Sequence, residues 1–318
     1  MNRQSLIIDC DPGVDDAVAL MLAFGAGEFE LLAVTTVGGN VPVAKTARNA
    51  RMLRQIAGLQ HSRCEDTPVF MGAEKPLART LGTATEFHGP EGTGDLEPFE
   101  PDLPCAEGHA ADAIVALVMS RPAKSVAMAV LGPMTNLALA IRKEPALAER
   151  LGPVAVMGGA RSEGGNITAS AEFNIWADPE AAAEVLATGA EVVLFGLDAT
   201  HQVRATDARI GTIEAVGTPM ANTAAAMLRF SQRVERTIVG WDASPLHDPC
   251  PVAWLLKPAL FELKPCRVRV ETQSELTRGH TAVEFREAVA GEPLKHRWAS
   301  LAEGGADGVF DLIREKVS

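Results

Sequence analysis

Four aspartates, Asp9, Asp11, Asp15 and Asp16, fall within eight positions of the run Ile7-Ile8-Asp9-Cys10-Asp11-Pro12-Gly13-Val14-Asp15-Asp16-Ala17. Carboxylates this close repel one another unless a positive charge stands among them, and their oxygens are the ligands that hard cations such as Ca2+ or Mg2+ take. Pro12 and Gly13 suit a tight turn at that point. Acids at the start of a helix would account for Asp15 and Asp16 through the helix dipole alone, but Asp9 and Asp11 stay unexplained. Oxygen-bearing or glycine-rich clusters recur at Val37-Gly38-Gly39-Asn40, Leu131-Gly132-Pro133-Met134-Thr135-Asn136, Met157-Gly158-Gly159-Ala160 and Leu246-His247-Asp248-Pro249. A metal site accounts for the aspartates and for the matching oxygen ligands together.

These clusters must be brought together by the elements they terminate. Residues 6–9, 31–37, 125–131, 154–157 and 191–197 read as strands, and 15–24, 44–57, 110–120, 135–142 and 179–187 as helices. Short apolar β-rich runs alternating with Ala-rich helical ones predict an open, mostly parallel, Rossmann-like α/β sheet with helices on both faces. Ligands of such sheets bind outside the carboxyl ends of the strands, where every cluster above lies. From residue 210 onward the alternation weakens into helices over 220–235 and 251–257 and strands over 266–271 and 281–285. No linker, repeat or low-complexity tract divides the chain, so a single domain over 1–318 with a C-terminal elaboration from about 210 is expected. Residues 72–104 are rich in Gly and Pro and poor in periodicity, and a loop of that length is usually a lid or a pocket wall.

Composition narrows the function. The chain has 318 residues, 47% hydrophobic and 22% charged, which suits a globular protein with a large core. With 29 Lys and Arg against 41 Asp and Glu, the net charge of -12 offers nothing to a nucleic-acid backbone. The five cysteines are widely spaced with no C-x-x-C pair, as expected for reduced thiols. The N-terminal apolar stretch is too short for a signal peptide and the run over 17–27 too short for a membrane span. A cytoplasmic protein without a nucleic-acid or membrane partner is expected.

The run Asp9 to Asp16 also matches a D-x-D-P-G-x-D-D signature, and with it the chain resembles the inosine-uridine-preferring nucleoside hydrolase family. Phe87-His88-Gly89, Leu131 to Asn136, Gly164-Gly165-Asn166, the block Ala171-Glu172-Phe173-Asn174-Ile175-Trp176-Ala177-Asp178-Pro179 and Leu246-His247-Asp248-Pro249 follow in the family's order. The resemblance implies the nucleoside hydrolase fold and hydrolysis of ribonucleosides to ribose and free base, a step of purine and pyrimidine salvage. It implies a Ca2+ held by Asp11, Asp16, the main-chain carbonyl of Thr135 and Asp248, with water and two ribose hydroxyls filling the other positions. Oxygen-only ligation is what Ca2+ prefers. Asp11 would be the general base on the attacking water, and His247 the group that protonates the departing base.

The same resemblance places Asp15 and Asn174 on the 2′ and 3′ hydroxyls, Asn166 and Glu172 near the 5′ hydroxyl, and Asn40, His88, Met157 and Phe173 in the substrate pocket. A homo-oligomer, dimer or tetramer, is expected as well. The sequence departs from the family in one respect: it has no tyrosine, whereas several family members stack one on the base from the helix before the His-Asp pair. Trp241 is the aromatic nearest that place, with anchoring of a loop as its expected role. Two other readings of D-x-D after a first strand are an aspartate-nucleophile phosphohydrolase using Mg2+ and a non-catalytic nucleoside-binding protein. The former does not require Asp15, Asp16 or the asparagine-rich blocks, and the latter would not need to keep Asp11.

Overall fold

Along the first strand, Leu6, Ile8 and Cys10 enter one apolar core and Ile7 enters another. Burial on both faces is the mark of a central strand in a parallel sheet. The computed structural model describes residues 3–290 and 293–318. Its elements run β1 (Gln4–Cys10), α1 (Val14–Gly25), β2 (Phe29–Thr36), α2 (Val43–Gly58), β3 (Val69–Met71), α3 (Thr85–His88), α4 (Ala110–Met119), β4 (Val126–Val130), α5 (Thr135–Lys143), α6 (Leu147–Arg150), β5 (Val154–Met157), α7 (Phe173–Ala177), α8 (Pro179–Ala187) and β6 (Val192–Phe195). They continue α9 (Leu197–Thr200), β7 (Arg204–Ala205), α10 (Asp207–Glu214), α11 (Pro219–Ile238), β8 (Ser244–Pro245), α12 (Pro249–Leu256), β9 (Phe261–Val270), β10 (Thr281–Glu284), α13 (Glu287–Ala290), β11 (His296–Leu301) and α14 (Gly305–Lys316).

The main sheet has the order β10-β9-β11-β6-β5-β4-β1-β2-β3. Strands β1 to β6 pair in parallel, β11 joins β6 in parallel, and β9 and β10 close that edge in antiparallel pairs. The inner order 3-2-1-4-5-6 is that of the doubly wound nucleotide-binding folds, whose connections diverge between strands 1 and 4 and open a crevice at their carboxyl ends. One face is packed by α1, α11, α12 and α14 through Leu20, Met227, Val252 and Ile313, the other by α4, α5 and α8 through Ile114, Leu137 and Val185. The expected open α/β architecture with helices on both faces is therefore the one found.

The structure adds elements that hydropathy did not mark. Strand β3 is three residues long, too short for a period, and is held by parallel pairing of Val34, Thr35 and Thr36 with Val69, Phe70 and Met71. Strand β9 starts five residues before the expected 266 because Pro265 lies where β10 no longer pairs, so its missing N–H costs no ladder bond there. The glycines of α14 hide its helical pattern; Gly305 leaves room for the Leu260 carbonyl, which a Cβ there would overlap. The stretch after residue 210 supplies β9, β10 and β11, which extend the main sheet. All five cysteines are free thiols, and among the described residues no helix is long and apolar enough to cross a membrane.

Candidate active site

Asp11 follows β1 at the point where the connections diverge, and its carboxylate is boxed in by backbone. A Cβ on Gly39, after β2, would overlap Oδ2, and one on Gly132, after β4, would overlap Oδ1. Only glycine at both places leaves room for this acid. Oδ2 accepts the Asn40 N–H at 2.7 Å, whereas Oδ1 is buried without a hydrogen-bond partner. Asp16 is fixed on both oxygens: Oδ1 accepts the Asp11 N–H at 3.1 Å, and Oδ2 accepts the Gly13 N–H at 3.0 Å and the Asn40 amide Nδ2 at 3.1 Å. It thus satisfies the N-cap N–H of α1 while standing in the acidic cluster. Beneath them, Asp9 takes hydrogen bonds from Thr35 Oγ1 at 2.6 Å and Asn136 Nδ2 at 2.8 Å, and burial lifts its pKa to about 7.

Asp15, Asp16 and Asp248 each offer one oxygen within 4.8 Å of the others. Burial, then the charge of Asp16, pushes Asp11 well above the usual carboxylate range; burial, then the charges of Asp15, Asp16 and Asp11, does the same to Asp248. Burial and Asp15 lift Asp16 to about 6. A fully ionised cluster therefore needs a cation, and the donor set is oxygen only. The orphaned Oδ1 of Asp11 and the equally unbonded Oδ1 of Asp15 are groups such a cation would satisfy. Asp11 adjoins the trio through Asp16 and Asn40 rather than belonging to it. Thr135 is buried at the start of α5, and its hydroxyl donates to Asp178 at 2.6 Å.

Above the cluster opens a cavity of about 570 Å3. Asp15, Asn40, His88, Met157, Asn166, Glu172, Phe173, Asn174, His247 and Asp248 all line it, as do residues 83–88 of the long loop; no Lys or Arg does so among the described residues. Asn174 donates Nδ2 to the carbonyls of Leu131 at 2.6 Å and Met157 at 3.2 Å, which leaves its amide oxygen as an acceptor. Glu172 caps α7, accepting the N–H groups of Asn174 at 2.9 Å, Gly159 at 3.0 Å and Ile175 at 3.2 Å. Asn166 sits at the exposed end and accepts the Phe173 N–H at 2.9 Å. His88 Nδ1 accepts the Val14 N–H at 3.1 Å, so its ring proton is on Nε2; burial lowers its pKa to about 4. Gly13 permits that approach, since a Cβ there would overlap the His88 ring.

His247 Nδ1 lies 2.8 Å from the Thr200 hydroxyl, and burial with the nearby charges of His201, His88 and Arg204 lowers its pKa to about 3. It is a neutral imidazole rather than a charge tuned near pH 7. Three side chains around it carried no motif. His201 stands edge-on to His247 with ring centres 5.8 Å apart and to Trp241 at 5.3 Å, its Nδ1 3.1 Å from Glu163. Thr200 and Glu235 were equally silent in the sequence; a helical period would have put Ser231 and Glu235 on one face of α11, without saying what that face meets. Trp241 lines the cavity and is also anchored, the Arg204 guanidinium lying 4.0 Å over its ring.

Comparison with known proteins agrees with this geometry. Residues 6–303 match the family described as inosine-uridine preferring nucleoside hydrolase. The inosine-uridine preferring nucleoside hydrolase of Crithidia fasciculata is 39% identical over 284 residues, 89% of this chain and 88% of that one. The pyrimidine-specific ribonucleoside hydrolase RihA of Salmonella typhimurium is 38% identical over 314 residues, 98% of this chain and 97% of its own. Among solved structures, a plant nucleoside hydrolase, PpNRh1, superposes with a TM-score of 0.91 at 30% identity, covering 99% of both chains. The fold and its site define a hydrolase of the glycosidase type. The chain belongs to the inosine-uridine preferring nucleoside hydrolase family.

Burial raises Glu172 to about 7, against the pull of three N–H groups and with the Asp15 charge adding to the rise. A carboxyl group raised in the folded state stabilises that state below its unfolded pKa, and the contribution is lost as pH rises toward the folded pKa. In chelator, the melting temperature should therefore fall between about pH 4.5 and pH 7, and calorimetry should give a shallower fall for Glu172→Gln. An unchanged slope in the variant would show that the pH dependence arises elsewhere.

Proposed function

We propose that the chain cleaves the N-glycosidic bond of ribonucleosides with water, using a Ca2+ held by Asp11, Asp16, Asp248 and the main-chain carbonyl of Thr135. The observation that carries this reading is the buried, unbonded Oδ1 of Asp11, held between Gly39 and Gly132 beside three converging carboxylates at the floor of the cavity. A bound Ca2+ supplies Lewis acidity that makes a water easier to deprotonate and fixes two sugar hydroxyls. Asp11 accepts the proton of the attacking water. Asn40 holds both Asp11 and Asp16 in place for that task. Asp15, through its unbonded Oδ1, and Asn174, through its amide oxygen, accept hydrogen bonds from the 2′ and 3′ hydroxyls. Asn166 and Glu172 approach the 5′ hydroxyl, Met157 and Phe173 pack on the sugar, and His88 backs Asp15 at 3.9 Å.

As the bond breaks, positive charge builds on the sugar, in a transition state of oxocarbenium character, and the buried carboxylates face it. Negative charge builds on the base. His247 is neutral; with the Thr200 hydroxyl donating to Nδ1, its Nε2 N–H is the hydrogen-bond donor that stabilises the charge building on the departing base. The absence of Lys and Arg from the described cavity wall argues against a phosphorylated substrate and so against the phosphohydrolase reading. The same reading takes residues 1–318 as one domain, supported by the pairing of β11 with β6, and extends to a cytoplasmic homo-oligomer, dimer or tetramer, serving purine and pyrimidine salvage.

Chelation should abolish release of reducing sugar from ribonucleosides, and Ca2+ should restore it; activity that persists in metal-free protein, checked by elemental analysis, would sink the metal site. Discrimination against 2′-deoxynucleosides should reach about 10⁴-fold in kcat/KM, because a site built to bond a hydroxyl leaves its own buried groups unpaired when that hydroxyl is missing. Comparable values for uridine and deoxyuridine would mean Asp15 and Asn174 do not read the sugar. His247→Ala should slow natural ribonucleosides far more than 4-nitrophenyl riboside, whose leaving group needs no proton; equal slowing would make His247 a support for Asp248 instead.

A further inference from the structure

Among the described residues six carboxylates line the cavity, and five have an occupation. Asp15 and Asp248 stand in the acidic cluster, Glu172 caps α7, Glu163 meets His201, and Glu86 is exposed to solvent. The sixth, Glu235 on α11, accepts no hydrogen bond from any described side chain or N–H, and its Oε2 is buried. Arg204 is the cation nearest in effect, yet it does not pair with Glu235. Its guanidinium lies over Trp241 and donates Nη1 to the Ala243 carbonyl at 3.2 Å.

Glu235 sits one helical turn from Ser231, and both line the cavity together with Val234, Trp241 and His247. This stretch of wall is built by α11, the turn after it that carries Trp241 and the segment between β8 and α12 that carries His247, with His201, just past α9, against both the Trp241 and His247 rings. The groups assigned to the ribose come from other elements, the turns after β1 and β2 and the block leading into α7. The carboxylate of Glu235 therefore faces the part of the cavity left for the base.

We propose that Glu235 is a specificity-determining residue that selects bases bearing an exocyclic amino group, cytosine and adenine, over their oxo counterparts, uracil and hypoxanthine. This rests on the ribonucleoside reading above and goes beyond it. An ionised carboxylate can only accept hydrogen bonds. An amino group on the base edge donates to it, while an oxo group in the same place meets it lone pair to lone pair. A hydrogen bond to a charged, partly buried acceptor is among the stronger ones, and leaving that acceptor unpaired carries the desolvation cost in full. Burial raises the Glu235 pKa and the Asp15 charge adds to the rise, while the Arg204 charge opposes it without occupying the carboxylate oxygens. Ser231, which both donates and accepts, sets no such sign.

The test is a set of paired kcat/KM ratios, cytidine to uridine and adenosine to inosine, for the wild type and for Glu235→Gln. The wild type should favour the amino member of each pair by about tenfold or more, as expected for a charge-assisted bond. Glu235→Gln, whose amide offers a donor as well as an acceptor, should bring each ratio toward one. Because each ratio is internal to one preparation, partial loss of folded protein cancels, and Glu235→Ala gives a second reading without a new donor. Wild-type ratios near one, or ratios unchanged in both variants, would overturn the role of Glu235. Failure of the wild type to hydrolyse any of the four ribonucleosides would instead overturn the functional reading on which it rests.

Discussion

Packing acidic groups together away from water is the constraint that organises this molecule. Asp11, Asp15, Asp16 and Asp248 meet at the carboxyl end of β1, all with pKa values raised by burial. Removing a carboxylate from water is costly, and like charges beside it add to the cost. The fold meets part of that cost with N–H groups from the β1–α1 turn and from Asn40, and the rest is left for a cation. The unmatched oxygens are a consequence of the site's purpose, since a protein that neutralised every carboxylate with its own side chains would have none to give.

Several residues serve fold and site at once, which makes the arrangement stiff. Asp16 caps α1 and stands in the acidic cluster; Glu172 caps α7 and lines the cavity. Asn136 bridges Asp9 to the Thr36 carbonyl and also accepts the Ala73 N–H, linking β1, β2 and the start of the long loop. Asp178 caps α8, takes the Thr135 hydroxyl and holds the Leu77 N–H. Helix starts and strand ends are where a parallel α/β fold leaves main-chain groups unpaired. The polar side chains that satisfy them are already aimed at the crevice.

Strands and helices buried on strong apolar periods were legible in the sequence, and so was the acidic turn, because four aspartates in eight positions have few other causes. Elements held by pairing rather than by pattern were not. Strand β3 is too short to show a period, and β11 runs His296-Arg297-Trp298-Ala299-Ser300-Leu301, with neither a strict alternation nor a continuous apolar run. Of the residues that line or adjoin the cavity, those in dense motifs could be singled out from the sequence and isolated ones could not. Thr200, His201 and Glu235 are separate positions on helices or just past their ends, and only the tertiary packing brings Thr200 and His201 against His247 and puts Glu235 on the wall of the same cavity. Trp241 was seen as an anchor, and the structure makes it both anchor and cavity wall.

That difference in legibility follows a division of labour. The groups assigned to sugar and metal are tied to strand ends, glycine cradles and helix caps, so altering them disturbs the fold as well as the chemistry. The groups we propose to face the base project from the long helix α11 and from the turn around Trp241, where Ser231, Val234 and Glu235 hold no cap or strand end. On that proposal, substitution there would change what the cavity recognises at little cost to what holds it open. Such a construction would fix the bond to be broken by the backbone and leave the choice of base to a few side chains.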